Sequence, residues 1–281
     1  MSEMKTNRRS FLKASAAAGG ALGLGIMPGG WALPDVSAAP TRQEAPPRKL
    51  RMLILGGTGF IGPHMVRYAL ERGHEITLFN RGRTNTHLFP EVEKLVGDRN
   101  DDLEALRGRT WDVCMDNHAS YIDWVELSTE VLRDSVDLYF YVSSRSAYSD
   151  LSSVPMGADA PTFTYESAGV EPGAERLPYG LQKALCERQA QEVFPGRSTI
   201  FRPGLIIGPG DQTDRFTYWV KRVERGGNIL APGKKEKKIQ FIDVRDLAEW
   251  IIKLGENRNS GVYNAVGPGI EISMEGILEA A

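Results

Sequence analysis

The chain of 281 residues holds only two cysteines, too few for a disulfide scaffold or a four-cysteine zinc site. It has no excess of positive charge: 34 Lys and Arg stand against 36 Asp and Glu, for a formal charge of -2. With no broad basic block, general affinity for nucleic acid is not expected. No apolar run reaches the roughly 20 residues that span a bilayer, so no membrane-embedded segment is expected either. What is there, 41% hydrophobic and 25% charged residues, is ordinary for a globular protein. The length suits one large α/β domain, or that domain with a small lobe.

The first residues read differently from the rest. Asn7-Arg8-Arg9-Ser10-Phe11-Leu12-Lys13 precedes an Ala- and Gly-rich stretch from Ala14 to Met27. That stretch is a poor stable helix, because each Gly costs about 1 kcal/mol of helix propensity. The twin arginine, Phe-Leu-Lys and the weakly apolar segment resemble a twin-arginine export signal. Val36-Ser37-Ala38 offers small residues for cleavage after Ala38. Residues 1–38 are therefore expected to be a signal peptide and the Pro-rich residues 39–48 a linker. The resemblance implies a periplasmic or secreted protein, exported already folded.

From residue 49 the pattern is strand, glycine turn, helix, strand. Leu50–Leu55 is a short apolar run interrupted only by Arg51, as suits a strand buried on both faces. It runs into Gly56-Gly57-Thr58-Gly59-Phe60-Ile61-Gly62, then a helical pattern closed by Gly73, then a second strand from His74 to Phe79. Gly56 permits the tight exit from the strand, Gly59 lets backbone approach a pyrophosphate, and Gly62 lets the helix pack on the sheet. The helix start offers unpaired N–H groups to the anion. Thr58, Phe60 and Ile61 complete this candidate cofactor loop. At the end of the second strand, where an acidic residue would bind the adenosine ribose, stand Asn80 and Arg81, with Arg83 nearby. An Arg there accommodates a 2′-phosphate, which points to NADP over NAD.

The alternation continues with strands expected at 92–96, 111–115 and 138–142, a short helix at 101–106 and a helix at 122–132. Regular β-α alternation implies a parallel sheet covered on both faces. After the fifth strand comes Tyr179-Gly180-Leu181-Gln182-Lys183, the one tyrosine of nine with Lys at i+4. On a helix the two share a face. An ammonium so placed lowers a phenol's pKa from its reference of about 10. Such a tyrosine can pass a proton to or from a carbinol oxygen while hydride moves to or from a nicotinamide.

The glycine loop, Val142-Ser143-Ser144, Tyr179 to Lys183, Arg202-Pro203-Gly204 and Gly208-Pro209-Gly210 occur in that order. Together they resemble the extended short-chain dehydrogenase/reductase superfamily, in its NAD(P)-dependent epimerase/dehydratase branch. The resemblance implies a Rossmann-type doubly wound α/β fold over residues 49–203, with a small C-terminal substrate lobe over 204–281. It implies that Ser144 hydrogen-bonds the reacting oxygen, with Ser143 as the alternative, that Tyr179 is the acid/base and that Lys183 tunes it. It places Asp98 by the adenine, unless Asp98 caps the following helix. Asn117 to Ser120, His118 included, would lie by the cofactor's ribose and phosphates, and Pro203 and Gly204 by the carboxamide. No metal is implied.

Two departures narrow the chemistry. Dehydratases of this branch carry an Asp-Glu pair after the serine, and here Arg145 and Ser146 stand instead, which argues against dehydration. The branch also shows an Arg before Phe241-Ile242-Asp243-Val244-Arg245-Asp246, and here Ile239 and Gln240 stand there, which puts a nucleotide-sugar substrate in doubt. Lys234, Lys235, Lys237 and Lys238 could replace that contact or form a solvated loop. In the C-terminal part a helix is expected over 214–224, with Phe216, Trp219, Val220 and Val223 as core, then a helix over 246–254, a strand over 262–265 and a helix from Ser273. Relatives of this kind continue beyond the place where the sequence stops, so the resemblance implies a shortened lobe. Cys114 and Cys186 read as reduced core residues.

Three functions fit: redox-neutral epimerisation of a sugar by transient hydride transfer, net reduction or oxidation of a sugar or other carbonyl, and dinucleotide binding without turnover. The expected partner is a small molecule, a sugar derivative, with no nucleic acid and no membrane after export; a homodimer is the candidate assembly.

Overall fold

The computed structural model describes residues 48–117, 120–267, 269 and 271–281. The expected signal peptide, nearly all of the linker, and His118 lie outside the described residues. Seven strands form one parallel sheet: β1 (Arg51–Leu55), β2 (Glu75–Asn80), β3 (Glu93–Val96), β4 (Trp111–Asp116), β5 (Val136–Val142), β6 (Ser198–Pro203) and β10 (Gly261–Ala265). Their order is β10-β6-β5-β4-β1-β2-β3. The chain therefore starts in the middle, winds out to β3, then reverses past β1 to build the other half. This is the Rossmann-type arrangement expected, and its switch point lies between β1 and β4.

The two-residue period of the strands divides the core into two layers. Met52 and Ile54, with Leu138, Phe140 and Val142, face α1 (Gly62–Glu71) and α6 (Val244–Glu256). Leu53 and Leu55, with Tyr139 and Tyr141, face α2 (Ile122–Leu132) and α4 (Tyr179–Val193). β1 from Met52 and β5 from Leu138 are thus apolar on both faces, which is why Met52–Leu55 shows no alternation in sequence. Both free cysteines are buried here, as expected.

Beyond β6 the chain makes two small sheets, β7 (Leu205–Ile207) with β9 (Phe241–Asp243) and β8 (Lys238–Ile239) with β11 (Ile272–Ser273). The segment 204–281 is not wholly apart from the main sheet: α6 packs under it and β10 supplies its outer strand. Two local expectations fail. The helix expected over 101–106 is only a 3-10 turn at Glu104–Leu106. The helix expected over 214–224 is α5 (Thr217–Glu224), and none of its residues is buried. Its apolar stripe is therefore not core: Phe216 leans on Phe241, Trp219 is only partly covered, and Tyr218 stays half-exposed. The short helix α3 (Tyr165–Ala168) and the terminal helix α7 (Met274–Ala280), capped by Ser273, complete the chain.

Candidate functional site

The candidate residues lie along the carboxyl ends of the strands, where open α/β sheets bind ligands. One cleft of about 530 Å³ is lined by Ile61, Asn117, Ser144, Tyr179, Lys183, Pro203 and Gly204, together with Arg145 and Arg215. The structure thus brings these seven expected residues together, and Ser120 and Ser143 line the same cleft. Gly56, Thr58, Gly59, Phe60, Gly62, Asn80, Arg81 and Asp98 do not line this cleft; they lie along the glycine turn and the ends of β2 and β3.

The glycine loop has the properties that a dinucleotide needs. Gly56 sits at φ +83°, which side chains disfavour. A Cβ on Gly62 would fall 2.5 Å from the backbone of Gly57, so the helix could not approach the turn. A Cβ on Gly59 would meet no protein atom within 4 Å. Protein packing therefore does not require glycine at 59, whereas a phosphate laid on the backbone does. The N-terminus of α1 has no side-chain cap; Pro63 carries no N–H and the His64 and Met65 amides are held by the Ile61 carbonyl at 3.1 and 3.3 Å, so the amides before them are the ones a phosphate could meet. At the end of β2, Asn80 Oδ1 accepts from the Gly82 amide at 2.8 Å, and Asn80 Nδ2 is buried with no partner among the described residues. Arg81 is exposed beside it. Asp98 is half-buried and accepts from the Asn100 amide and side chain at 3.1 and 2.7 Å, so it caps the turn that follows β3 and not a helix.

Ser144 and Ser143 divide sharply. Along β5 the residues facing α4 are Tyr139 and Tyr141, and the same period carries Ser143 inward, where its hydroxyl donates to Glu187 Oε1 at 2.5 Å. Ser144 leaves the strand, accepts from the Ser146 amide at 3.1 Å and hydrogen-bonds the Tyr179 phenol. Gly180 makes that meeting possible, because a Cβ there would lie 2.3 Å from the Ser146 carbonyl. The tight seat of α4 on the Ser144 turn was not legible from the motif.

The expected depression of the Tyr179 pKa by Lys183 is not found. Burial pushes the phenol up, while Ser144 and the charge of Arg215 pull it down. Lys183 points inward instead: its ammonium donates to the Tyr141 hydroxyl at 3.1 Å and the Val142 carbonyl at 2.9 Å, above the Tyr141 ring. Burial lowers its own pKa from 10.5 to about 8. Sharing a helix face brings two residues near each other, but Tyr141 decides where the lysine turns.

Sequence reasoning also missed Glu187, one turn beyond Lys183 on the same face of α4. It is buried and holds Arg202 through bonds of 2.6, 3.0 and 3.1 Å. Its signal was the i+4 spacing from Lys183, with an arginine preceding Pro203.

The sequence profile of the NAD dependent epimerase/dehydratase family matches residues 52–266, and that of the twin-arginine translocation pathway signal matches residues 5–25. The chain belongs to the NAD dependent epimerase/dehydratase family. Its N-terminus carries an export signal of the twin-arginine type. A 3-beta-hydroxysteroid dehydrogenase of Mycolicibacterium neoaurum is 42% identical over 226 residues, covering 74% of this chain and 61% of the relative. The chain spans between 61% and 67% of the length of three curated relatives it matches. Among solved structures, the Bordetella bronchiseptica enzyme WbmG in complex with NAD has a TM-score of 0.66 at 19% identity, over 85% of this chain and 78% of that one. UDP-N-acetylglucosamine 4-epimerase from Bacillus cereus has a TM-score of 0.63 at 18% identity, over 82% and 79%. At such identities the likeness is one of fold.

Proposed function

We propose that the chain is an NAD(P)-dependent enzyme that epimerises a sugar derivative without net oxidation. The observation that carries this reading is the convergence of Ser144, Tyr179 and Lys183 on one cleft at the crest of a dinucleotide-type sheet. The glycine loop from Gly56 to Gly62 and the uncapped start of α1 fit a pyrophosphate. Asn80, Arg81 and Asp98 would border the adenosine end, Asn117 the ribose and phosphates, and Pro203 and Gly204 the nicotinamide carboxamide. When bound, the nicotinamide supplies reversible hydride exchange with a substrate carbon.

The chain's own residues do the rest. Ser144 holds the reacting oxygen by a hydrogen bond. Tyr179 accepts the hydroxyl proton as the carbon is oxidised and returns it on reduction. Lys183 places positive charge beneath the pair and reaches the cleft floor from the Val142 carbonyl. Arg145 and Ser146 leave the turn without the carboxylates that an elimination needs, so dehydration is disfavoured. The export signal supports redox neutrality: a retained cofactor regenerated in each cycle needs no external pool. Arg81 supports NADP, and with it the second reading, a net carbonyl reductase.

The test uses exported, mature protein. Cofactor that survives dialysis is expected, together with deuterium at the substrate C–H that returns to product. A stoichiometric absorbance change at 340 nm with a carbonyl panel would shift the case to net reduction. Full turnover in Tyr179→Phe would remove the proposed acid/base.

A further inference from the structure

We infer that the substrate carries an oxyanion, a carboxylate or a phosphate, on its reacting portion, and that Arg145 and Arg215 grip it. This rests on the proposed function only in placing the substrate in the same cleft. Among the described residues the cleft lining contains Arg145, Arg215 and Lys183 and no Asp or Glu. Lys183 is engaged below the cleft by Tyr141 and Val142. Two guanidinium groups therefore supply the charge that a ligand meets.

Among the described residues no other Lys or Arg of the C-terminal part lines the cleft. Lys235 pairs with Glu275 at 2.8 Å and Lys238 pairs with Glu271, both outside the cleft. Arg245 pairs with Asp243 at 2.7 Å. Arg145 has no hydrogen-bond or ion-pair partner for its side chain among the described residues. It directly follows Ser144, and its Cδ lies 4.0 Å from where a Cβ on Gly204 would stand, so its stem crosses from the end of β5 to the end of β6. Arg215 approaches from the opposite loop. Its Nε donates to Thr213 Oγ1 at 2.7 Å, and Thr213 in turn donates to Asp211 at 2.5 Å, which orients the guanidinium. Its charge already acts on the Tyr179 phenol.

Two planar cations facing one cleft, with no carboxylate to neutralise them, suit a bidentate oxyanion. They also concentrate anions at the site. A neutral carbinol of the same size leaves both unpaired. The pair thus selects acidic sugars or sugar phosphates over neutral ones.

The test titrates full-length mature protein, saturated with NAD, with D-glucuronate, D-glucose 1-phosphate and D-glucose, and reads the heat of binding. At least one anion is expected to bind about tenfold or more tightly than glucose, and the stronger of the two identifies carboxylate or phosphate. Arg145→Gln and Arg215→Gln should each abolish most of that preference while NAD affinity stays within about twofold. Both side chains are exposed, so neither change threatens the fold. Equal binding of glucose, or no binding of either anion, overturns the inference. So does a parallel loss of NAD affinity, which would assign the arginines to the cofactor. Because heat is read without turnover, failure here leaves the hydride reading intact, and failure of the hydride assays leaves the anion preference intact.

Discussion

Glu187 ties the ends of β5 and β6 to α4 beneath the proposed site, and its removal is the sharpest structural test available. Its carboxylate receives Ser143 from the end of β5 and Arg202 from the end of β6. Arg202 Nη1 donates to the Ala158 carbonyl at 2.8 Å, and its guanidinium lies 4.5 Å from the centre of the Tyr148 ring. The Tyr148 hydroxyl donates to Asn264 Oδ1 at 2.6 Å, on β10. Both ion-pair side chains are under 10% exposed. Burial acts to lower the Arg202 pKa, and the hydrogen bond and charge of Glu187 outweigh it, so the pKa ends raised. Glu187→Ala would leave a buried guanidinium without its counter-ion, which costs about 3–5 kcal/mol. At about 2–4 °C per kcal/mol for a domain of this size, Tm should fall by about 6–20 °C. Urea unfolding of the mature protein measures the loss directly, and an unchanged m-value shows that only stability moved. Ser143→Ala alone should cost about 1.5–3 kcal/mol, because it removes a hydrogen bond to a charge. In the Glu187→Ala background the same change should cost far less. A Glu187→Ala loss below about 1 kcal/mol, or equal Ser143→Ala costs in both backgrounds, would refute a coupled buried network.

The other predictions address the cleft. Lys183, with a pKa lowered to about 8, sheds its proton as pH rises through that value. If its charge serves the reaction, kcat/KM should fall above pH 8 and the limb should move upward in Lys183→Arg, as a pH–rate profile would show. Above about pH 8 the unfolded chain, with lysine near 10.5, binds the proton that the folded chain has released, so this group's contribution to stability rises with pH. Gly59→Ala should leave stability within about 0.5 kcal/mol yet weaken cofactor binding, whereas Gly62→Ala should cost about 1–3 kcal/mol; paired thermal and dialysis measurements separate the two. Ser144→Ala should lower kcat by about a hundredfold or more while Ser143→Ala keeps kcat, and equal losses in kcat would contradict the division of the two hydroxyls. Arg81→Ala should weaken NADP binding and spare NAD; an equal effect on both would remove the 2′-phosphate assignment.

How far the sequence could be read depended on whether a feature was local. The strand–turn–helix opening was legible because the glycine spacing and the apolar strand specify a backbone path within a few dozen residues. The 122–132 helix was legible for the same reason, and its observed ends agree with the expected ones. The half-covered stripe on α5 was misread because apolar periodicity reports a face and not what covers it: Phe216 leans on Phe241, and Trp219 meets the exposed Tyr218.

The direction of Lys183 shows the same limit at the site itself. The i+4 relation to Tyr179 holds on α4, yet the ammonium answers to a tyrosine 42 residues earlier on β5. That tyrosine faces α4 because the period of β5 turns residues 139, 141 and 143 to one side, and the same period turns the Ser143 hydroxyl to Glu187 at the cleft wall and leaves Ser144 at its edge. A reading that applied the strand's alternation to the last two residues of β5 and to the serine beyond them could have ranked the two serines. It could also have paired Lys183 with Tyr141 from the sequence alone, because strand parity and helical spacing together, and neither alone, determine which side chains meet between the layers.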